Sequence, residues 1–195
     1  MATTIYTYDG QILKESGSGK WLIEPPPHDE VLIGNQIWKN QNLAIDDGGV
    51  GISTRTVNFG LGDVVEYYYT WDAAVRVASS ISGWHLPTAS EWNTLANAVG
   101  GGISGGVKLK STYGWNDDGN GTDDYGFTGL PAGYIMDGGH FVQFGNYACF
   151  WTADPSQTSE RFANGITLMK FNNKINSGSE FKTDSYSIRL VKDAT

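Results

Sequence analysis

The sequence predicts an α+β domain in which small twisted antiparallel sheets pack with two short helices and are joined by long loops. Three observations carry that reading. The stretch Gly83–Trp92, GWHLPTASEW, joins a proline stop, a helix cap and two tryptophans within ten residues. Short β-branched and aromatic runs, Val31–Ile33, Gln36–Trp38, Leu43–Ile45 and Tyr67–Tyr69, are separated by segments rich in Gly, Asn and Ser. The composition has 26 glycines, 7 tryptophans and 10 tyrosines with few helical runs, which describes a loop-rich fold pinned by aromatic clusters.

In chain order, Thr4–Tyr8 and Gln11–Leu13 flank Asp9-Gly10, a pair favoured in two-residue hairpin turns. Ser16–Gly19 then loosens the chain before Trp21–Ile23, and Pro25–Pro27 forms a stiff polyproline spacer. Residues 1–30 are therefore expected to be a hairpin that packs on the domain or an arm for attachment or oligomerisation. Residues 31–195 form the domain. It opens on a second hairpin, Val31–Ile33 and Gln36–Trp38 around Gly34-Asn35, followed by Leu43–Ile45. Asp46–Asp63 reads as a long surface loop. Thr70 is an N-cap candidate for a first helix whose inner face is Trp71, Ala74, Val75 and Ala78. For the second helix, Pro87 forces Leu86 into an extended conformation, and Thr88-Ala-Ser-Glu91 has the spacing of a capping box. Trp92, Leu95, Ala96 and Val99 then recur at helical spacing, and Gly100–Gly102 ends the helix.

The formal charge of −8 and a pI near 4.7 argue against nucleic acid or an anionic membrane as partner, because both attract cationic surfaces. No apolar run approaches membrane-spanning length, and no basic segment followed by an apolar one follows Met1. The chain as written is expected to be soluble and unsecreted. Its one cysteine, Cys149, excludes an internal disulfide.

The corner Gly83–Trp92 resembles the G-W-H-x-P-T-x-x-E-W segment of the family named after the Fibrobacter succinogenes major paralogous domain. Trp115–Tyr134, WNDDGNGTDDYGFTGLPAGY, is similar to that family's W-N-x-x-G-x-G-T-x-x-x-G-F-x-x-L-P-x-G-Y signature, and Tyr186–Asp193 to its closing segment. The resemblance runs from about Val31 to Asp193. It implies a fold of the C-type-lectin and formylglycine-generating-enzyme type, a scaffold that hosts unrelated activities.

Several patterns invite chemistry. Asp117, Asp118, Asn120, Asp123 and Asp124 gather hard oxygen atoms of the kind calcium takes, although the EF-hand position for a bidentate Glu, counted from Asp118, is Gly129. Asp and Asn beside Gly119, Gly121 and Gly126 are more simply read as turn residues bonding their own backbone, so no cofactor is expected. His28, His85 and His140 are far apart in sequence, without metal-ligand spacing. The histidine set of iron-dependent relatives of this scaffold and the paired cysteines of formylglycine-generating enzymes are not visible. Cys149, beside Phe150 and Trp151, reads as an apolar filler, and no local pattern supports a triad. The expectation is a protein without catalysis.

Recognition remains. Asn146–Tyr186 mixes aromatics with Asn, Ser, Thr and Gly, as binding loops do. Through the shared fold the chain resembles variable tip proteins of bacteriophages and archaeal viruses, whose C-terminal part is rewritten by a diversity-generating retroelement. Such a system, acting on AAC or AAT codons, can produce Tyr147, Cys149, Asp154, Ser156, Thr158, Ser159, Arg161, Phe162, Asn164, Asn172, Asn173 and Asn176. It cannot produce Trp151, Glu160, Met169, Lys170, Lys174 or Lys182, which should be scaffold. The first set is the expected ligand surface, clustered on one exposed face and positioned by a closing strand Ser187–Val191. The expected partner is a protein or glycan receptor on a cell surface, met from a virion surface. The alternative is a bacterial cell-surface module of the Fibrobacter type that grips glycans through Trp and Tyr faces. Homo-oligomerisation is compatible with either reading.

Overall fold

A computed structural model describes residues 4–6, 12–15, 21–24 and 29–194. The Asp9-Gly10 turn, the Ser16–Gly19 and Pro25–Pro27 segments and His28 lie outside the described residues. The chain divides into two compact units, residues 1–30 and 31–195. In the first, β1 (Thr4–Tyr6), β2 (Ile12–Glu15) and β3 (Trp21–Glu24) form one antiparallel sheet, with Ile5 opposite Leu13 and Leu13 opposite Ile23. The alternation of Thr-Ile-Tyr with Ile-Leu-Lys-Glu thus extends to a third strand.

The second unit is mixed α+β: small antiparallel sheets with few, short helices. β4 (Glu30–Ile33) and β5 (Gln36–Lys39) form the expected hairpin, turned at Gly34, whose φ of +64° is left-handed. β5 also pairs with β13 (Val191–Asp193), so the start and end of this unit share one sheet. The closing strand thus falls at Val191–Asp193 rather than Ser187–Val191. The residues before it make isolated bridges, Tyr186 to Tyr69, Ser187 to Phe150 and Ser185 to Ile135.

Two segments differ from the sequence reading. The presumed loop 46–63 contains β6 (Ile52–Asn58), which pairs along its whole length with β7 (Asp63–Tyr69). Its Thr54, Arg55 and Thr56 put polar side chains at the centre of the strand, which hides the β-signal. Leu43–Ile45 forms no strand. The Leu43 amide donates to Ile188 O, and the Tyr69 hydroxyl bonds the Leu43 and Ile45 carbonyls, so side chain and backbone replace a ladder there.

Helix α1 (Trp71–Ser79) buries Ala73, Ala74, Val77 and Ala78, whereas Val75 is 38% exposed, one position off the expected stripe. Thr70 stands at its N-cap without a side-chain cap bond. Helix α2 (Ala89–Ala98) has the full capping box: Thr88 Oγ1 accepts from the Glu91 amide at 3.2 Å, and Glu91 Oε2 accepts from the Thr88 amide at 2.7 Å. Trp92, Leu95, Ala96 and Val99 are all buried, and Gly100 and Gly101 at positive φ end the helix. One further turn of helix, α3 (Gly106–Leu109), was not signalled by any periodic pattern.

The core explains why the three sequence signatures occur together. Trp92 packs 4.9 Å from Trp38, 5.9 Å from Phe127 and 5.5 Å from Phe150, ring centroid to centroid. Into this aromatic cluster runs Arg189, fully buried, its guanidinium 4.3 Å from the Phe127 ring centroid. It donates to the carbonyls of Lys39, Phe127 and Thr128 and to Asn42 Oδ1. Burial pulls its pKa down to about 9, opposed by the charges of Glu66 and Asp123. One residue from each signature, Trp92, Phe127 and Arg189, therefore meets the others in the interior, and their work is structural.

Candidate functional site: the three-stranded sheet β10–β12

The region expected to bind ligand folds as an antiparallel sheet of β10 (Tyr147–Pro155), β11 (Phe162–Met169) and β12 (Ile175–Phe181), with β12 at the edge. Alternation along β10 sends Ala148 and Phe150 into the tryptophan cluster, and Cys149 and Trp151 to the other side, against α1, Tyr186 and Ile188. Both sides of β10 are thus consumed by packing. Exposure grows toward β12 and at the two connecting turns.

The twelve codon-allowed residues do not share one face. Asp154, Ser156, Thr158, Ser159, Arg161, Phe162 and Asn164 lie at the β10–β11 end; Tyr147, Asn172, Asn173 and Asn176 lie at the other. Phe162 to Leu168, paired with Phe181 and Ile175, spans six residue steps, or about 20 Å of strand. Side-chain alternation also puts Phe162 and Asn164 on the opposite side from Asn176.

Cys149 must be removed from the ligand set. It is 2% exposed, its sulfur takes the Thr167 hydroxyl, and burial pushes its thiol up to about 12. A second-in-line position of a doubly covered strand cannot present a side chain to solvent. Others of the set are occupied locally. Asp154 Oδ2 accepts from the Ala89 amide at 2.6 Å, at the start of α2. Asn172 Oδ1 accepts from the Lys174 amide, and Asn176 Nδ2 donates to Thr167 O. The codon-excluded set is mixed as well: Trp151 is buried and donates to Tyr69 O, whereas Glu160 and Lys174 are exposed.

Two exposed aromatic clusters remain, one at each end. At the β10–β11 end, Phe162 and Phe181 lie 4.5 Å apart, with the Arg161 guanidinium 5.5 Å from the Phe181 ring. Phe181 is 43% exposed. A row of hydroxyls borders them, Ser156 Oγ lying 2.9 Å from Thr158 Oγ1 and 3.2 Å from Ser179 Oγ. At the other end, Tyr147 packs edge-on to the exposed Phe171 at 6.2 Å. Sequence reasoning missed Phe181 as a surface residue. Its place directly across from Phe162 was the signal, and it needed the register.

In the acidic loop, Asn120 Oδ1 accepts from the Trp115 amide, Asp123 accepts from the Thr128 amide and hydroxyl, and Asp117 pairs with Lys170. Asp117, Asp118 and Asp123 have positive φ, as turn-forming Asp residues can. Among the described residues no group of three or more His, Cys, Asp or Glu is arranged to hold a metal. His85 Nε2 lies 2.6 Å from Glu91 Oε1, which ties this histidine to the capping box.

A family model, the Fibrobacter succinogenes major domain, matches residues 31–192, the span that holds all three signatures. The chain belongs to this family. The match begins at β4 and ends in β13, the two strands that flank β5 in one sheet, so it spans the second compact unit. Comparison with curated proteins and with solved structures returns no match. No helix among the described residues is long and apolar enough to cross a membrane.

Proposed function

We propose that this Fibrobacter-type domain is a non-catalytic recognition module of C-type-lectin-like fold that binds a protein or glycan receptor at a cell surface. The observation that carries it is the cluster of Arg161, Phe162 and Phe181. Arginine and aromatic side chains supply most of the energy at interfaces, and here Arg161 and Phe181 stand exposed around the half-buried Phe162, beside a row of hydroxyls that can hydrogen-bond a partner. Against catalysis stand the inaccessible thiol of Cys149 and the engagement of His85 by Glu91.

Of the two settings, the bacterial cell-surface module is favoured over the retroelement-diversified viral tip. Diversified positions should share one surface, and here they divide between ends about 20 Å apart and between two sides of the sheet. The neighbouring DNA discriminates: a reverse transcriptase gene with a near-repeat of the 3′ end would restore the viral reading. The binding test is a glycan array with a parallel screen on bacterial cells, using the full chain and Arg161→Ala/Phe181→Ala. Loss of the signal in the double variant, with its melting temperature kept, is the expected result. A signal that survives in the variant, or none with the native chain, overturns the proposal.

A further inference from the structure

On the side of the sheet away from Phe162, β11 and β12 carry glycines directly opposite each other, Gly165 and Gly178. This leaves a bare strip of backbone two strands wide. The Tyr186 ring lies across it: a Cβ on Gly165 would stand 3.3 Å from Tyr186 Cε2 and 3.1 Å from Glu180 Cγ. A Cβ on Gly178 would meet only the carboxylate of Glu180, at 2.9 Å. Glu180 therefore folds back over the strip instead of extending into water, and it lies beside the Tyr186 ring.

Around this carboxylate the chain gathers aromatic rings. Tyr134 packs edge-on to Tyr186 at 5.2 Å, and Trp151 stacks on the other part of Tyr186 at 4.5 Å. Tyr134 is close enough to Glu180, Asp184 and Tyr147 that their charges raise its pKa further, behind burial as the main cause. Gly165 is buried beneath Tyr186, whereas Gly178 is exposed and Tyr134 and Glu180 are half-buried, so the β12 half of the strip is open to solvent. No lysine, arginine or histidine among the described residues pairs with Glu180. Lys182, two positions along, has its ammonium 4.2 Å over the Trp71 ring instead.

A lone carboxylate held among tyrosines, over backbone that carries no side chain, has the charge and shape for one class of ligand. We propose that this strip binds an alkylammonium group, with the Glu180 carboxylate facing the cation and Tyr134 contributing ring contacts to its methyl or methylene carbons. An anion would be repelled by Glu180 and Asp184, and a neutral group would leave the carboxylate's charge uncompensated. The site lies on the opposite side of the sheet from Phe162 and does not depend on the receptor surface proposed there.

The test titrates the full chain with choline and, separately, with n-butylammonium, read by tyrosine and tryptophan fluorescence and by NMR line shifts. Saturable binding of at least one is expected. Glu180→Gln, which keeps the side chain's size and removes its charge, should weaken it at least tenfold. Gly178→Ala should do so too, because the new methyl displaces only the tip of Glu180 and the fold has no reason to change. Preference for choline points to a trimethylammonium ligand and preference for butylammonium to an amine such as a lysine side chain. No saturation by either, or equal affinity in Glu180→Gln with an unchanged melting temperature, overturns the proposal.

Discussion

Cys149 shows how a residue can satisfy a codon argument and fail a physical one. Its position on β10 has α1 and the Tyr186 segment on one side and β11 alongside, so the thiol is held in an apolar, desolvated setting. With a pKa raised to about 12, almost no thiolate exists at neutral pH. Iodoacetamide should leave the native protein unmodified over hours and label it stoichiometrically once unfolded. Rapid labelling of the native chain would mean that β10 opens or that the thiol is activated. Cys149→Ser replaces a weak acceptor of the Thr167 hydroxyl with a stronger one and should cost on the order of 1 kcal/mol, with binding retained. Arg189 makes the complementary point. It was read as part of a closing signature, and its fully buried guanidinium bridges three carbonyls and Asn42, which no local pattern states.

At the scale of one element, helix α2 lets cap and packing be weighed separately. Thr88→Ala removes one acceptor from the first turn and should cost about 1 kcal/mol, whereas Trp92→Ala empties a site lined by Trp38, Phe127 and Phe150 and should cost about 3 to 5 kcal/mol. Urea midpoints at unchanged slope would measure both; equal small losses would place Trp92 outside the core. The cap also has a pH signature. Burial raises the Glu91 carboxyl, but hydrogen bonds from the Thr88 amide and hydroxyl and from His85 outweigh it, and its pKa lies below the ordinary value of 4.5. A depressed folded pKa means that its contribution is complete above 4.5 and is lost as pH falls through the lower, folded value. Glu91→Gln should therefore be less stable than the native chain at pH 7, with the gap narrowing at pH 3. The helix was legible in full because capping box, apolar spacing and glycine stop lie within the fourteen contiguous residues Thr88 to Gly101, which local rules read unaided. Strand β6 was not, because its partner β7 and not its own composition makes it a strand.

At the scale of the molecule, the sequence motifs located the core and misplaced the surface. Trp92 was legible because a capped helix with apolar spacing specifies it, whereas Phe127 and Arg189 lie within the other two signatures and their place in the core shows only in the fold. Surface clusters such as Arg161–Phe162–Phe181 depend on register across a hairpin, and a one-residue slip would send each side chain to the other side. The residues that could bind a partner are for this reason the ones that sequence placed least well. The division of the chain yields a last test. The family match and the second compact unit both begin at Val31, and the sheet that joins β5 to β13 closes that unit on itself. A chain of residues 31–195 should accordingly unfold cooperatively, with a melting temperature within a few degrees of the full chain. Light scattering of the two then separates the readings of residues 1–30. If the full chain is larger than a monomer while 31–195 is monomeric, the first unit assembles copies. If both are monomeric and 31–195 melts far lower, the first unit packs on the domain and supplies part of its stability.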